Sequence, residues 1–249
     1  MTSEAALAWR QFRLERRMFW RNPTAAFFNF VLPLLFLVLF GAIFSGHQHD
    51  LNIVIPGIAG MNVMATTFNA LAMNLTFLRE QGVLKRMRGT PLSSGAFLAG
   101  VLGNAVVNAT IQVAIVVVAG KLFFGLAWPR DWGALIVFLV LGVTAFASLG
   151  VAFSHVIPNF DSAPAYTNFV FLPSIFIGGV FFDPAHSTKV LTDIARVLPI
   201  SHLVEGLRGA MVNGSGLGHH VGDVAVVALW GVAGLWFAVR GFSWEQKRS

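Results

Sequence analysis

Six long apolar stretches dominate this sequence and leave few folds open to it. They run from about Thr24 to Phe44, Ile53 to Thr76, Gly95 to Phe123, Gly133 to Ile157, Ala165 to Phe182 and Val221 to Val239. A helix rises about 1.5 Å per residue, so about 20 apolar residues cross a hydrocarbon core of roughly 30 Å. The stretches are continuous and lack the short alternating pattern of a membrane β-barrel. A backbone in lipid must satisfy its own hydrogen bonds, which for such runs means helix. The expected fold is therefore an all-α integral membrane protein with six transmembrane helices. Only 11% of the residues are charged, against about 25% in a typical soluble domain. That shortfall excludes a soluble core of this size.

The basic residues set the expected orientation, because Lys and Arg gather on the cytoplasmic side of membrane proteins. Arg10, Arg13, Arg16, Arg17 and Arg21 precede the first run. Arg79, Lys85, Arg86 and Arg88 lie between the second and third, and Arg240, Lys247 and Arg248 follow the sixth. With six spans, all of these fall on one side. Lys121, Arg130, Lys189, Arg196 and Arg208 fall on the other. The reading is a multi-pass inner (plasma) membrane protein with both termini cytoplasmic. The net charge of +6 then belongs to lipid headgroups and topology, not to a nucleic-acid partner. The absence of cysteine excludes disulfides and thiolate metal sites.

Residues 1–23 alternate apolar and basic positions and are not read as a cleavable signal peptide. Arg10, Arg13, Arg17 and Arg21 share a helical stripe, with Arg16 off it among Trp9, Phe12, Phe19 and Trp20. This predicts an amphipathic interfacial helix, broken at Asn22-Pro23, with a plain topology signal as the alternative. Residues 24–249 form the six-span domain. Its basic connection, Phe77 to Ser93, predicts a short cytoplasmic helix over about 78–90, with Val83, Leu84 and Met87 on one side. Gly89 suits the end of that helix, and Pro91 the first turn of the next.

Polar residues inside apolar runs are costly and informative. Asn62, Thr66, Asn69 and Met73 follow one stripe of the second run, and Asn104, Asn108 and Gln112 one stripe of the third. They either line a substrate path or hydrogen-bond between helices. Gly95, Ala99 and Gly103 form a row suited to close helix packing. Between about residues 183 and 218 two short extracellular helices are expected. Ser201 would cap the second, Leu203, Leu207 and Met211 would form its apolar side, and Glu205 would sit near Arg208. His47, His49, Asp50, His219 and His220 lack a complete ligand set and read as solvated loop, with no metal site.

Arg79-Glu80-Gln81-Gly82-Val83-Leu84, then Arg86, then Thr90-Pro91-Leu92 resembles the "R-E-x-G-T-L … R … T-P-L" segment of ABC-2-type transporter permeases. Val83 stands for the usual Thr, and Lys85 where an acid is common. Pro199, His202 and Arg208 are similar to the closing signature of the same family. That family includes daunorubicin-resistance permeases and exporters of O-antigen, teichoic acid and nodulation factor. The resemblance implies a permease subunit of an ATP-binding cassette exporter, carrying an amphipathic drug or lipid-like substrate, with a lipid-linked glycan or polysaccharide as the alternative. It implies that Arg79, Glu80, Gly82, Lys85, Arg86 and Arg88 form a coupling helix that docks on a separate ATP-binding subunit. It also implies a second permease copy or a sister permease. The sequence has no G-x-x-x-x-G-K-[ST] loop. The chain is therefore read as a non-enzyme that binds no cofactor, with ATP and Mg used by its partner. An intramembrane enzyme or an ATP-independent channel finds no supporting motif: no catalytic residues and no paired acids occur within the runs.

Overall fold

The computed structural model describes residues 3–44, 46–182 and 188–241. Every element among them is helical. The order is α1 (Glu4–Arg21), α2 (Pro23–Ile43), α3 (Gln48–Met64), a π turn (Ala65–Asn69), α4 (Ala70–Glu80), α5 (Val83–Arg88), α6 (Ser94–Phe124) and α7 (Trp132–Phe153). Then follow α8 (Ala163–Ile177), α9 (Lys189–Ala195), α10 (Pro199–Arg208), a second π turn (Gly209–Asn213), a 3-10 turn (Leu217–His220) and α11 (Val221–Gly241). Lys247 and Arg248 of the expected basic tail lie outside the described residues, as do Asp183 to Ser187 of the extracellular segment.

Among the described residues five helices are long and apolar enough to cross a membrane: α2, the 33-residue α3–α4 rod, α6, α7 and α11 with its leading turn. The fifth expected span is instead the 15-residue helix α8, about 22 Å long at the usual rise. Its start packs with Ala72 and Ile157 at the basic end. Gly178 and Gly179 stop it partway along α3, where Val180 meets Gly57. The amphipathic α10 fills the space beyond, burying Ile200, Leu203, Val204 and Leu207 against α3 and α7.

The α3–α4 rod is the axis of the bundle, and almost all of α3 from Leu51 onward is buried. Close approach there depends on glycine: a Cβ at Gly57 would lie 1.9 Å from the Val180 carbonyl oxygen. A Cβ at Gly150 would lie 2.7 Å from that of Phe68. Phe97, Phe138, Phe146, Ile55 and Ile58 are among the large side chains fully buried around this axis. α2 and α11 sit at the periphery and turn Phe27, Phe28, Leu35, Leu229, Val232 and Phe237 outward. Such faces suit lipid or another apolar surface.

Candidate functional site

At the basic end, α1 begins with Ser3, whose hydroxyl accepts from the Ala6 amide at 3.3 Å. It ends at Asn22, and Pro23 opens α2, as the sequence predicts. Arg10, Arg13, Arg17 and Arg21 are exposed. Gln11 and Glu15 are buried against α6. The seat is made at Gly100, where a Cβ would fall 2.6 Å from Gln11, and at Gly103, where it would meet Phe12 at 3.2 Å. The expected small-residue row is thus shifted. Gly103 packs as predicted, Gly100 replaces Gly95, and the packed neighbour is α1, not another span.

Arg16 does not join the outward stripe. Its Nη1 donates to Asn108 Oδ1 at 2.5 Å and reaches Asn104 Oδ1 at 3.5 Å. Its guanidinium also lies near the rings of Phe19 and Trp20 at 5.7 and 5.6 Å. Farther along α6, Gln112 accepts from Thr66 Oγ1 at 2.6 Å and donates to the Asn29 carbonyl at 2.9 Å. A chamber of about 500 Å³ opens between α1, α2, α4 and α6. Glu15, Asn29, Thr66, Asn74, Asn104 and Asn108 line it with Phe19 and Phe77. Thr66, Asn104 and Asn108 therefore come together in this chamber, and Gln112 braces Thr66 from behind. Asn62 and Asn69 do not join them. The π turn at Ala65–Asn69 takes an extra residue per turn, so the expected stripe from Asn62 through Asn69 to Met73 loses phase. Asn62 Nδ2 and Asn69 Oδ1 are buried without a hydrogen-bond partner.

Burial pushes the Glu15 carboxyl above the usual carboxylate range, partly offset by the hydrogen bond that Gln11 Nε2 donates at 2.7 Å. Glu15 was not named by the sequence reading. Its signal was there: the residues three and four positions away are Gln11, Phe12, Met18 and Phe19. None is basic, so the helix surface offers it no ion pair.

The basic connection is not one helix over 78–90. Gly82 takes the left-handed conformation, φ 65°, and divides it. Arg79, partly buried, and Glu80, exposed, belong to the last turn of α4 and reach across to the connection after α7. Arg79 Nη2 donates to the carbonyls of Ser154 at 2.6 Å and Ile157 at 3.1 Å, just past α7. There a cation also complements the helix dipole. The Glu80 carboxylate accepts from the Phe160 amide at 2.5 Å, beside the edge-on pair Phe77–Phe160. α5 then carries Lys85 and Arg86 exposed, the latter held only by a 3.5 Å contact to the Gln81 carbonyl. Leu84 is buried and Met87 packs beside it against Leu71, Leu75 and Phe97. Val83 is partly buried, which agrees with the expected apolar side. Arg88 ends α5 and Gly89 caps it. Pro91 does not start the next helix; Ser93 caps α6, accepting from the Ala96 amide at 3.1 Å.

At the opposite end the closing residues are built into α10. Pro199 is its first residue, and Ser201 lies inside it instead of capping it. Arg208 pairs with Glu205 at 2.8 Å, as expected, and donates to the Gly179 carbonyl at 3.3 Å. His202 Nδ1 lies 2.6 Å from Asp223 Oδ1, and its Nε2 2.8 Å from the Arg196 carbonyl. Both neighbours accept, so the ring satisfies them best with both nitrogens protonated. Its pKa is raised, first by the hydrogen bond to Asp223. Asp223 Oδ2 engages His220 Nδ1 at 2.7 Å, and His220 Nε2 meets Ser215 Oγ at 2.8 Å. His220 is buried and paired, which corrects its reading as solvated loop, whereas His47, His49 and His219 are exposed. No group of three potential metal ligands occurs among the described residues.

The family model described as ABC-2 type transporter matches residues 3–212. The chain belongs to the ABC-2 type transporter family. The match runs from the first turn of α1 through the basic connection to the residues after α10, so the chamber and α5 lie inside it. Among curated proteins the chain is similar to Nodulation protein J of Neorhizobium galegae, 28% identical over 68% of this chain and 62% of that protein. It is similar to the inner membrane transport permease YadH of Escherichia coli K12, 22% identical over 80% of this chain and 77% of that one. Nodulation protein J of Rhizobium leguminosarum bv. trifolii is 31% identical over 67% of this chain and 62% of its own length. The match with these two nodulation proteins thus spans less than two thirds of their length. Family membership and the long apolar helices together make this a multi-pass membrane protein of the ABC-2 class.

Proposed function

We propose that this ABC-2 chain is the membrane-spanning permease subunit of an ATP-binding cassette exporter, driven by a separate ATPase that docks on α5. The observation that carries this reading is the build of α5. Lys85 and Arg86 are exposed while Leu84 anchors the helix in a core shared by α4 and α6. A charged face on an anchored short helix can pass force, which a loose basic loop cannot. The chain's own sequence holds no phosphate-binding loop, so ATP and Mg belong to the partner. The basic residues of α1 and α5 share one end of the bundle, which supports cytoplasmic placement in an inner membrane. The apolar outer faces of α2 and α11 suit lipid and a second permease subunit, either a copy of this chain or a sister.

The chamber supports an amphipathic, drug-like or lipid-like substrate better than a long polysaccharide. It is enclosed by a mixture of amide and aromatic side chains, and its volume of about 500 Å³ falls in the range of small-molecule sites. A lipid-linked glycan or polysaccharide, which the family resemblance leaves open, is the second reading. Purification from native membranes in mild detergent tests the assignment. A co-purifying subunit with a P-loop, lost on Lys85→Ala/Arg86→Ala while the permease stays folded, is the expected result. A permease that emerges alone, with wild type and double variant alike, would refute it.

A further inference from the structure

We infer that Glu15 is the counter-charge of a cation site in the inner chamber, and that the ligand it takes is an ammonium or other organic cation carried on an apolar body. The inference rests on the permease reading and narrows its substrate class.

Three features lead to it. Glu15 is 8% exposed, lines the chamber, and among the described residues is paired only with the neutral amide of Gln11. Five arginines lie in α1, from Arg10 to Arg21, yet none is placed three or four residues from Glu15 to pair with it on the helix surface. The nearest candidate, Arg16, is committed elsewhere, to Asn108 and Asn104 and to the rings of Phe19 and Trp20. A carboxylate removed from water without a cation is costly, so the free site favours the protonated acid. A cation arriving from the membrane or cytoplasm supplies the missing charge.

The remaining walls fit such a guest. Asn74 and Asn29 offer amide groups in the lining of the same chamber. Phe19 and Phe77 offer ring faces that attract cations and bury an apolar body. An anionic head would meet the carboxylate and find the Arg16 guanidinium already engaged. A purely neutral body would leave Glu15 with no more than it has in the empty chamber.

The test uses the full chain in phosphatidylcholine nanodiscs, with tetraphenylphosphonium as the probe and tetraphenylborate as its near-isosteric anion. Binding is corrected for empty discs. Saturable binding of the cation, none of the anion, at least a tenfold loss in Glu15→Gln and retention in Glu15→Asp are expected. Asn74→Lys, which places a cation in the chamber lining, should abolish binding even if Glu15→Gln proves too unstable to measure. Absence of saturable cation binding to folded wild type, equal binding by Glu15→Gln, or equal binding of the anion overturns the proposal. Phosphatidylglycerol discs, whose lipid carries no ammonium, separate the sources after correction for empty discs of the same lipid. Stronger binding there than in phosphatidylcholine assigns the site to a lipid ammonium, and equal binding to a free amphiphilic cation. The assay needs no ATPase, so its failure leaves the docking role of α5 standing, and loss of that role leaves this result intact.

Discussion

Arg79 and Arg86 stand seven residues apart in one basic segment, yet the structure gives them opposite jobs, and replacing each by alanine should separate them. Arg79→Ala removes two charge-assisted hydrogen bonds, at 2.6 and 3.1 Å, from the carbonyls of Ser154 and Ile157. Bonds from a charged donor contribute about 1.5–3 kcal/mol each when buried. Arg79 is only half-buried, so water replaces part of the loss and the pair is worth about 2–3 kcal/mol. Removing the cation from the end of α7 adds about 0.3–1 kcal/mol. The sum, about 3 kcal/mol, corresponds to a fall in Tm of roughly 6–12 °C for a chain of this size. Arg79→Lys keeps the charge and one bond and should lose about half as much. Arg86→Ala removes one long contact of an exposed side chain and should stay within about 0.5 kcal/mol of wild type.

Tryptophan-fluorescence melting in mild detergent reads these differences, and limited proteolysis of the turn between Ser154 and Phe160 supplies a local readout. Faster cleavage in Arg79→Ala alone is expected. A variant that melts with wild type and resists protease would show that the clamp does not hold the turn. A large destabilisation in Arg86→Ala would show that α5 is packed differently from the structure described above.

His202 carries a raised pKa from its bond to Asp223, so its contribution to stability is full below the ordinary imidazole value and is lost as pH rises through the raised one. Melting across a pH series should show this loss, with His220, Glu205 and Asp223 the other titratable groups nearby, and His202→Gln should flatten it. Thr66→Val leaves Gln112 Oε1 without its donor and should destabilise by about 1–3 kcal/mol. Asn62→Leu, which removes a buried and unpaired amide nitrogen, should be neutral or stabilising in the same unfolding assay. Gly57→Ala would drive a methyl to 1.9 Å from the Val180 carbonyl. A loss of about 1–3 kcal/mol or more is expected, read as lower folded yield and Tm.

The spans were legible because length and hydrophobicity are properties of consecutive residues. Gly95 to Phe123 was expected and Ser94–Phe124 is found. The arginine stripe of α1 was legible for the same reason, since one face of one helix fixes it. What escaped the sequence depends on contacts between distant segments. The π turn at Ala65–Asn69 shifts the polar stripe without any marker residue of its own. Gly82 could be read as a tolerated helix glycine; only its φ of 65° shows that it divides α4 from α5. The partners of Arg79 and of the exposed Glu80 escaped the sequence because they lie more than 70 residues away, at Ser154, Ile157 and Phe160. Asp223 likewise finds His202 across 21 residues of sequence.

These contacts also decide where a load placed on α5 must go. Gly82 lets α5 rotate relative to α4, but Leu84 is buried in one cluster with Leu71 and Leu75 of α4 and Phe97 and Val101 of α6. Pulling Leu84 free would expose a side chain whose burial is worth about 1.5–3 kcal/mol. Close-packed interiors transmit displacement instead of absorbing it. The ends of α4 and α6 therefore move with α5. Arg79 and Glu80 carry the same movement to the turn between α7 and α8. On the other side, α4 can shift against α3 at the π turn, where the regular ladder is already interrupted. Thr66 sits in that turn, and Asn104 and Asn108 sit on α6, so the walls of the chamber are the surfaces that change. Arg16 spans from α1 to Asn104 and Asn108, which makes α1 follow α6 instead of riding free on the membrane surface. Under the proposed docking on α5, a force on Lys85 and Arg86 has a route to the chamber through the packing and hydrogen bonds described above.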